Sequence, residues 1–307
     1  MLHRIFRPQS GLRAVSSVIN KPTSVFNRCQ TRYLHRVPQL THDAYFKEHG
    51  VPDLLSPEGF DFAWTQYQGL MVEKLNLLTQ DTVDADAKPG ELLLKYAKRR
   101  DMAALFNYAS MAHNNHFFFN LLSPTSVPMP EDLVKDIDDS CSSVESLKQD
   151  FLAAASAMFG PGFVWLVTDM NKEGMIKILC TYNAGSPYPQ AYTRRQSVDM
   201  NTENPESPAS SATGTQIGNQ FAGVMGSHAP NRRDLAPGAI DVQPILCVNT
   251  WEHVWMMDYG IAGKDEFLER WWNRVNWEAV FENHKTAIAS KGGRNPVTRQ
   301  RTLGGFL

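Results

Sequence analysis

NTWEHVWMMDYG, residues 249–260, sets Trp251, Glu252, His253 and Trp255 almost side by side, with Asn249 two residues ahead of the Trp-Glu-His triplet. An imidazole between an acid and two indoles suits either a metal site or the aromatic frame of one, and the rest of the chain decides between them. The β-branched and apolar run at 245–248 reads as a short strand delivering this segment. Downstream, 266–281 reads as a helix, with Trp271, Trp272 and Trp277 supplying bulk.

A second stretch with metal-ligand character is MAHNNHFFFNLLSP, 111–124, in which His113 and His116 stand three apart on one face of a predicted helix. That helix is expected over 91–121, with Leu93, Leu94, Ala97, Leu105, Tyr108, Met111 and Phe118 inward and Ser123-Pro124 stopping it. Another helix is expected over 56–78. Ser56 is its N-cap and Pro57 its first residue, and Phe62, Tyr67, Leu70, Met71, Leu75 and Leu78 form its apolar face. The polar connector 79–90 makes the two a helical hairpin. Shorter helices are expected at 128–139 and 144–158, then strands at 163–168 and 175–181 joined by the turn Asn171-Lys172-Glu173-Gly174. His113, His116 and His253, completed by Asn249 or water, are the candidate metal ligands. Glu252 and Asp258 stand near them in sequence as acids that either hydrogen-bond a ligand from behind or are purely structural.

The totals limit the class. Apolar residues at 42% and charged residues at 20% of 307 suit a globular chain with a real core. No apolar run approaches the roughly 20 residues a membrane span needs. Cys29, Cys141, Cys180 and Cys247 have no CxxC spacing, which fits a reducing compartment. Residues 1–36 hold seven Lys and Arg and no acid, the pattern of a mitochondrial presequence, with removal expected near 32–36. Without them the chain carries 23 Lys and Arg against 32 Asp and Glu, a body near −9 and a poor general binder of phosphate. From 185 to 244 the composition collapses into Ser, Thr, Asn, Pro, Gly and Gln, which predicts a long mobile surface insertion. The tail 286–307 reads as a basic arm.

Four stretches carry a resemblance. HNNHFFFNLLSP (113–124) resembles the His-x-Asn-His-x-x-Phe-Trp-x-x-Leu-x-Pro region of the iron/manganese superoxide dismutases. FGPGFVWLV (159–167) resembles that family's Gly-x-Gly-Trp-x-Trp-Leu strand. NTWEHVWMMDYG resembles its Asp-x-Trp-Glu-His-Ala-Tyr-Tyr-x-x-Tyr motif, and RWWNRVNWEAV (270–280) its terminal Trp-x-x-Ile-Asn-Trp helix. The resemblance implies an α+β fold: an N-terminal helical hairpin at 37–125, then an α/β domain at 126–285 with a three-stranded antiparallel sheet. Of the family's three His and one Asp ligands, it matches His113 and His253, puts Asn249 at the Asp and puts Ala63 at the first His. The family's gating Tyr falls at Met71, the Tyr after the triplet at Met256, and the solvent-binding Gln near Ala184. Two ligands are then missing, no metal or other cofactor is expected, and redox dismutation is lost.

A presequence, this fold and a low-complexity insertion together resemble the dismutase-like small-subunit proteins of the fungal mitochondrial ribosome. That implies a non-catalytic matrix protein. Its expected partners are a paralogue, paired as a heterodimer through Glu252 and His253, other small-subunit proteins, and ribosomal RNA touched by the basic arms. A matrix metalloenzyme using His113, His116 and His253 is the alternative.

Overall fold

The computed structural model describes residues 35–170, 174–192 and 241–289. Most of the expected presequence, the bulk of the expected insertion and the tail beyond Ala289 lie outside the described residues. The chain folds as helices around one three-stranded antiparallel sheet, the iron/manganese superoxide dismutase-like α+β architecture expected from the sequence.

The strand order is β2-β1-β3, with β1 at Gly162–Asp169, β2 at Ile176–Tyr182 and β3 at Val242–Asn249. The central strand β1 is buried along its whole length, which is why FVWLV shows no polar alternation. Trp165 pairs across to Leu179 on one side and Cys247 on the other, and its indole N–H donates to Thr181 Oγ1 at 2.9 Å. Register slips between Leu166 and Val167, where Leu246 and then Pro244 face β1. The bulge accommodates Pro244, which has no N–H for a regular ladder. Strand β3 therefore begins at Val242, inside the segment expected to be insertion.

In the N-terminal half, α1 (Asp43–His49) leads to α2 (Pro57–Phe60), capped by Ser56, whose Oγ accepts from Gly59 N–H at 2.9 Å. The same hydroxyl donates to Asp258 Oδ1 at 2.6 Å. The helix then passes through a π-helical turn, Asp61–Gln66, before resuming as α3 (Tyr67–Thr79). The widened turn points Ala63 and Trp64 inward, and Phe62, Leu70 and Leu78 lie exposed on the opposite face, so the expected apolar stripe is only partly the buried one.

The single helix expected over 91–121 is two. Helix α4 (Pro89–Tyr96) ends before Lys98-Arg99-Arg100, a 3-10 turn follows, and α5 runs Ala103–Asn120. Arg99 is extended in backbone, and three adjacent like charges offer no helix-stabilising pairs. The break lets α4 fold back along α5.

Helices α6 (Glu131–Cys141) and α7 (Val144–Ala157) lead into the sheet. After β3 come α9 (Glu252–Tyr259), α10 (Lys264–Trp272) and α11 (Trp277–Ala289), α8 being the short Pro189–Tyr192. The helix expected over 266–281 is thus broken at 273–276. There Leu122 bridges Val275, Ser123 N–H donates to Arg274 O at 2.9 Å and Asn276 N–H donates to Leu121 O at 2.8 Å. Asn276 Oδ1 also accepts from Ala279 N–H, capping α11. Helix α11 continues to Ala289, so the expected arm at 286–307 begins with helix. Phe151 stacks on Trp271 at 5.5 Å and Trp272 meets Trp277 edge-on at 4.8 Å, an aromatic slab between α7, α10 and α11.

Replacing Ser56 with Ala removes both the cap of α2 and its hydroxyl link to Asp258. Urea unfolding is expected to show a loss of about 1–2 kcal/mol with an unchanged m-value.

Candidate functional site

Helix α5 is buried along nearly all of 109–120, so its polar side chains must find partners inside the protein. Asn115 is the most connected of them. Its Nδ2 donates to Gln68 Oε1 at 3.1 Å and to Ala63 O at 3.4 Å, and its Oδ1 accepts from Asn249 Nδ2 at 3.1 Å. Gln68 Nε2 in turn donates to Ala112 O at 2.9 Å, and Asn249 Oδ1 accepts from Trp251 N–H at 3.0 Å. One chain of neutral amides thereby joins the π turn, α3, α5, the end of β3 and the start of α9.

His113 lies elsewhere. Its Nε2 is hydrogen-bonded to the hydroxyl of Tyr188 at 2.9 Å, and its ring faces Phe117. Two neighbours on α5 hold the same approach segment. Ser110 Oγ donates to Ala184 O at 2.7 Å, and Asn114 Nδ2 donates to Gly185 O at 2.9 Å. The segment expected to open a surface insertion at 185 is therefore buried at Ser186 and Tyr188. Its low-complexity composition belongs to residues further on, and averaging hid the first few.

His116 rests against Trp64 at 5.9 Å between centroids. His253 stacks face to face on Tyr67 at 3.9 Å, and its Nε2 is buried without a hydrogen-bond partner. Met71 is buried and Met256 exposed, while Glu252 is half-buried as the first residue of α9. Asp258 binds the Ser56 cap, a structural role.

Burial lowers all three imidazoles. It brings His113 to about 3, with His116 adding to the effect, and His116 and His253 each to about 4. Burial also raises the Tyr67 phenol to about 12 and Tyr188 higher still. The aromatic and imidazole groups here are neutral across the physiological range. Among the described residues, no group of three or more His, Cys, Asp or Glu is placed to hold a metal ion.

The sequence expectation puts His113 at the second-helix ligand position, and the structure turns it toward Tyr188. Asn115 is the α5 residue that reaches Ala63 and Asn249. The signal was present in HNNHFFFNLLSP, which is one residue shorter than the motif it resembles. Counted back from Leu122 and Pro124, the motif's second His falls at Asn115; counting from the histidines misplaces it. Gln68 and Tyr188 carried no such signal.

Comparison with known proteins agrees with the fold. Residues 129–198 and 226–283 match the family described as iron/manganese superoxide dismutases, C-terminal domain. The chain is 28% identical over 280 residues to the small ribosomal subunit protein mS43 of Schizosaccharomyces pombe, covering 88% of this chain and 91% of that protein. It is 29% identical over 198 residues to mS42 of the same organism, covering 62% and 71%. To the superoxide dismutase (Fe) of Escherichia coli it is 26% identical over 240 residues, covering 78% and 94%. The C-terminal part of the chain is therefore similar to the C-terminal domain of the iron/manganese superoxide dismutases. Along most of its length the chain is similar to a small-subunit ribosomal protein.

Substituting Asn115 with Leu strands Gln68 Oε1 and Asn249 Nδ2, and an equilibrium denaturation is expected to show a loss of about 2–4 kcal/mol. The histidines set a pH dependence. Their folded-state values lie below the 6.5 of an exposed imidazole, so the unfolded chain binds more protons between the two. Stability is complete above about pH 6.5 and falls as pH drops from there toward 4, measurable as a falling urea midpoint.

Proposed function

We propose that this chain is a structural, non-catalytic component of the small subunit of the mitochondrial ribosome and supports mitochondrial translation from the matrix. The observation that carries the reading is the shared length with mS43, 88% of this chain and 91% of that protein, joined to a site built of neutral amides. The acid-free, Arg-rich start of the sequence supplies the address.

The four positions where the family resemblance puts ligands become Ala63, Asn115, Asn249 and His253. Ala63 offers no donor atom beyond its backbone carbonyl, the two amides hydrogen-bond to each other, and no carboxylate is among them. One neutral imidazole with amides does not fit iron or manganese, which these sites bind through imidazoles and an anionic oxygen. His113 and His116, offered as ligands in the metalloenzyme alternative, are engaged with Tyr188 and Trp64.

The partners of this reading are other small-subunit ribosomal proteins. Among them we place a paralogue of the same fold, joined across the face that carries Glu252 and His253. Ribosomal RNA contacts fall to the basic arm beyond Ala289, since the folded body is acidic.

Sedimentation of a mitochondrial lysate on a sucrose gradient, with iron, manganese and zinc measured per chain across the peak, tests this. Migration with the small subunit and no stoichiometric metal is expected. A free dimer with about one redox metal per chain would sink the proposal.

A further inference from the structure

The expected presequence reaches residue 36, yet the fold has already begun at His35. His35 is 7% exposed. Its backbone N–H donates to Asn76 Oδ1 at 2.9 Å, and its carbonyl accepts from Asn76 Nδ2 at 3.1 Å. One side-chain amide thus takes both main-chain groups of one residue, as a neighbouring strand would. The imidazole Nε2 meets Thr79 Oγ1 at 3.0 Å. That hydroxyl spends its proton on Leu75 O at 2.8 Å, so the imidazole is the donor.

Five residues on, Leu40 is buried, and Thr41 beside it donates through both N–H and Oγ1 to Asn120 Oδ1, at 3.3 and 3.2 Å. Residues 35–41 therefore strap the C-terminal end of α3 to the C-terminal end of α5. Asn76 and Thr79 are themselves buried, and without His35 their polar atoms would lose these partners in the interior.

We infer that the leader is removed on the N-terminal side of His35, so that the mature chain begins no later than His35 and Arg36 belongs to the folded protein. The inference rests on the matrix reading above. The step is hydrolysis by a matrix endopeptidase: water adds, the C–N bond breaks, the leader leaves with a carboxylate, and the chain keeps a new amine. A processing enzyme needs its target bond in an extended, accessible segment, and the strap, once docked, withdraws the bonds after His35 from it. A cut after Arg36 made before folding would discard the His35 anchor.

Two measurements test this. Intact mass and N-terminal peptide mapping of the chain from purified small subunits are expected to give a first residue downstream of Met1 and at or before His35. A mature chain starting at Arg36 or later overturns the inference. An unprocessed Met1 start within the subunit overturns it too, while leaving the ribosomal reading intact; absence from the subunit overturns that reading instead. Independently of import, chains beginning at Leu34 and at Val37, otherwise full length, are compared by thermal melting. The Val37 chain is expected to melt about 5 °C lower, or to fail to fold where the Leu34 chain folds. Asn76→Ala is expected to lower the melting temperature of the Leu34 chain more than that of the Val37 chain, because its partner is already gone in the latter. Equal melting of the two starts would show that His35 anchors nothing and overturn the inference.

Discussion

The amide of Asn115 is the constraint on which the interior depends. Helix α5 passes through the middle of the protein, so a polar side chain there has no water to fall back on. Its two amide atoms reach Gln68, Ala63 and Asn249, which come from α3, the π turn and β3. Each such hydrogen bond contributes a net of only about 1 kcal/mol, but leaving a buried partner unmet costs about 1–3 kcal/mol. The set therefore acts more as a specification of position than as a source of stability. It fixes where the helical half meets the sheet, and the π turn at Asp61–Gln66 is the local distortion that presents the Ala63 carbonyl to it.

Two further ties close the helical half. The end of α5 pairs through Leu121, Leu122 and Ser123 with 274–276, which forces the break between α10 and α11. The strap at 35–41 holds the far ends of α3 and α5. Among α7, α10 and α11, the aromatic slab of Phe151, Trp271, Trp272 and Trp277 supplies bulk apolar burial, at about 25 cal/mol for each Å2 removed from water.

The chemistry of the centre is neutral throughout. Buried imidazoles held far below their usual range and phenols held above theirs leave no charge to balance a cation at physiological pH. Tyr188 closes over His113, and His253 spends its face on Tyr67.

The sequence by itself determined the class of fold and the order of its elements. Periodicity and capping located the helices, the apolar FVWLV run located the central strand, and Ser56 was legible as a cap because capping depends on neighbours two or three residues away. It did not reveal the breaks at 97–102 and 273–276, since both answer to partners far along the chain: α4 folding back on α5, and Val275 bridging Leu122. It singled out His113 by side-chain type, whereas spacing from Pro124 singles out Asn115, the α5 residue that meets Ala63 and Asn249. Only the tertiary structure decided that Asn115 joins the halves, that Tyr188 is inside, and that His35 is already part of the fold. Each of these rests on a hydrogen bond between residues 41 to 134 positions apart, where nothing local signals the partner.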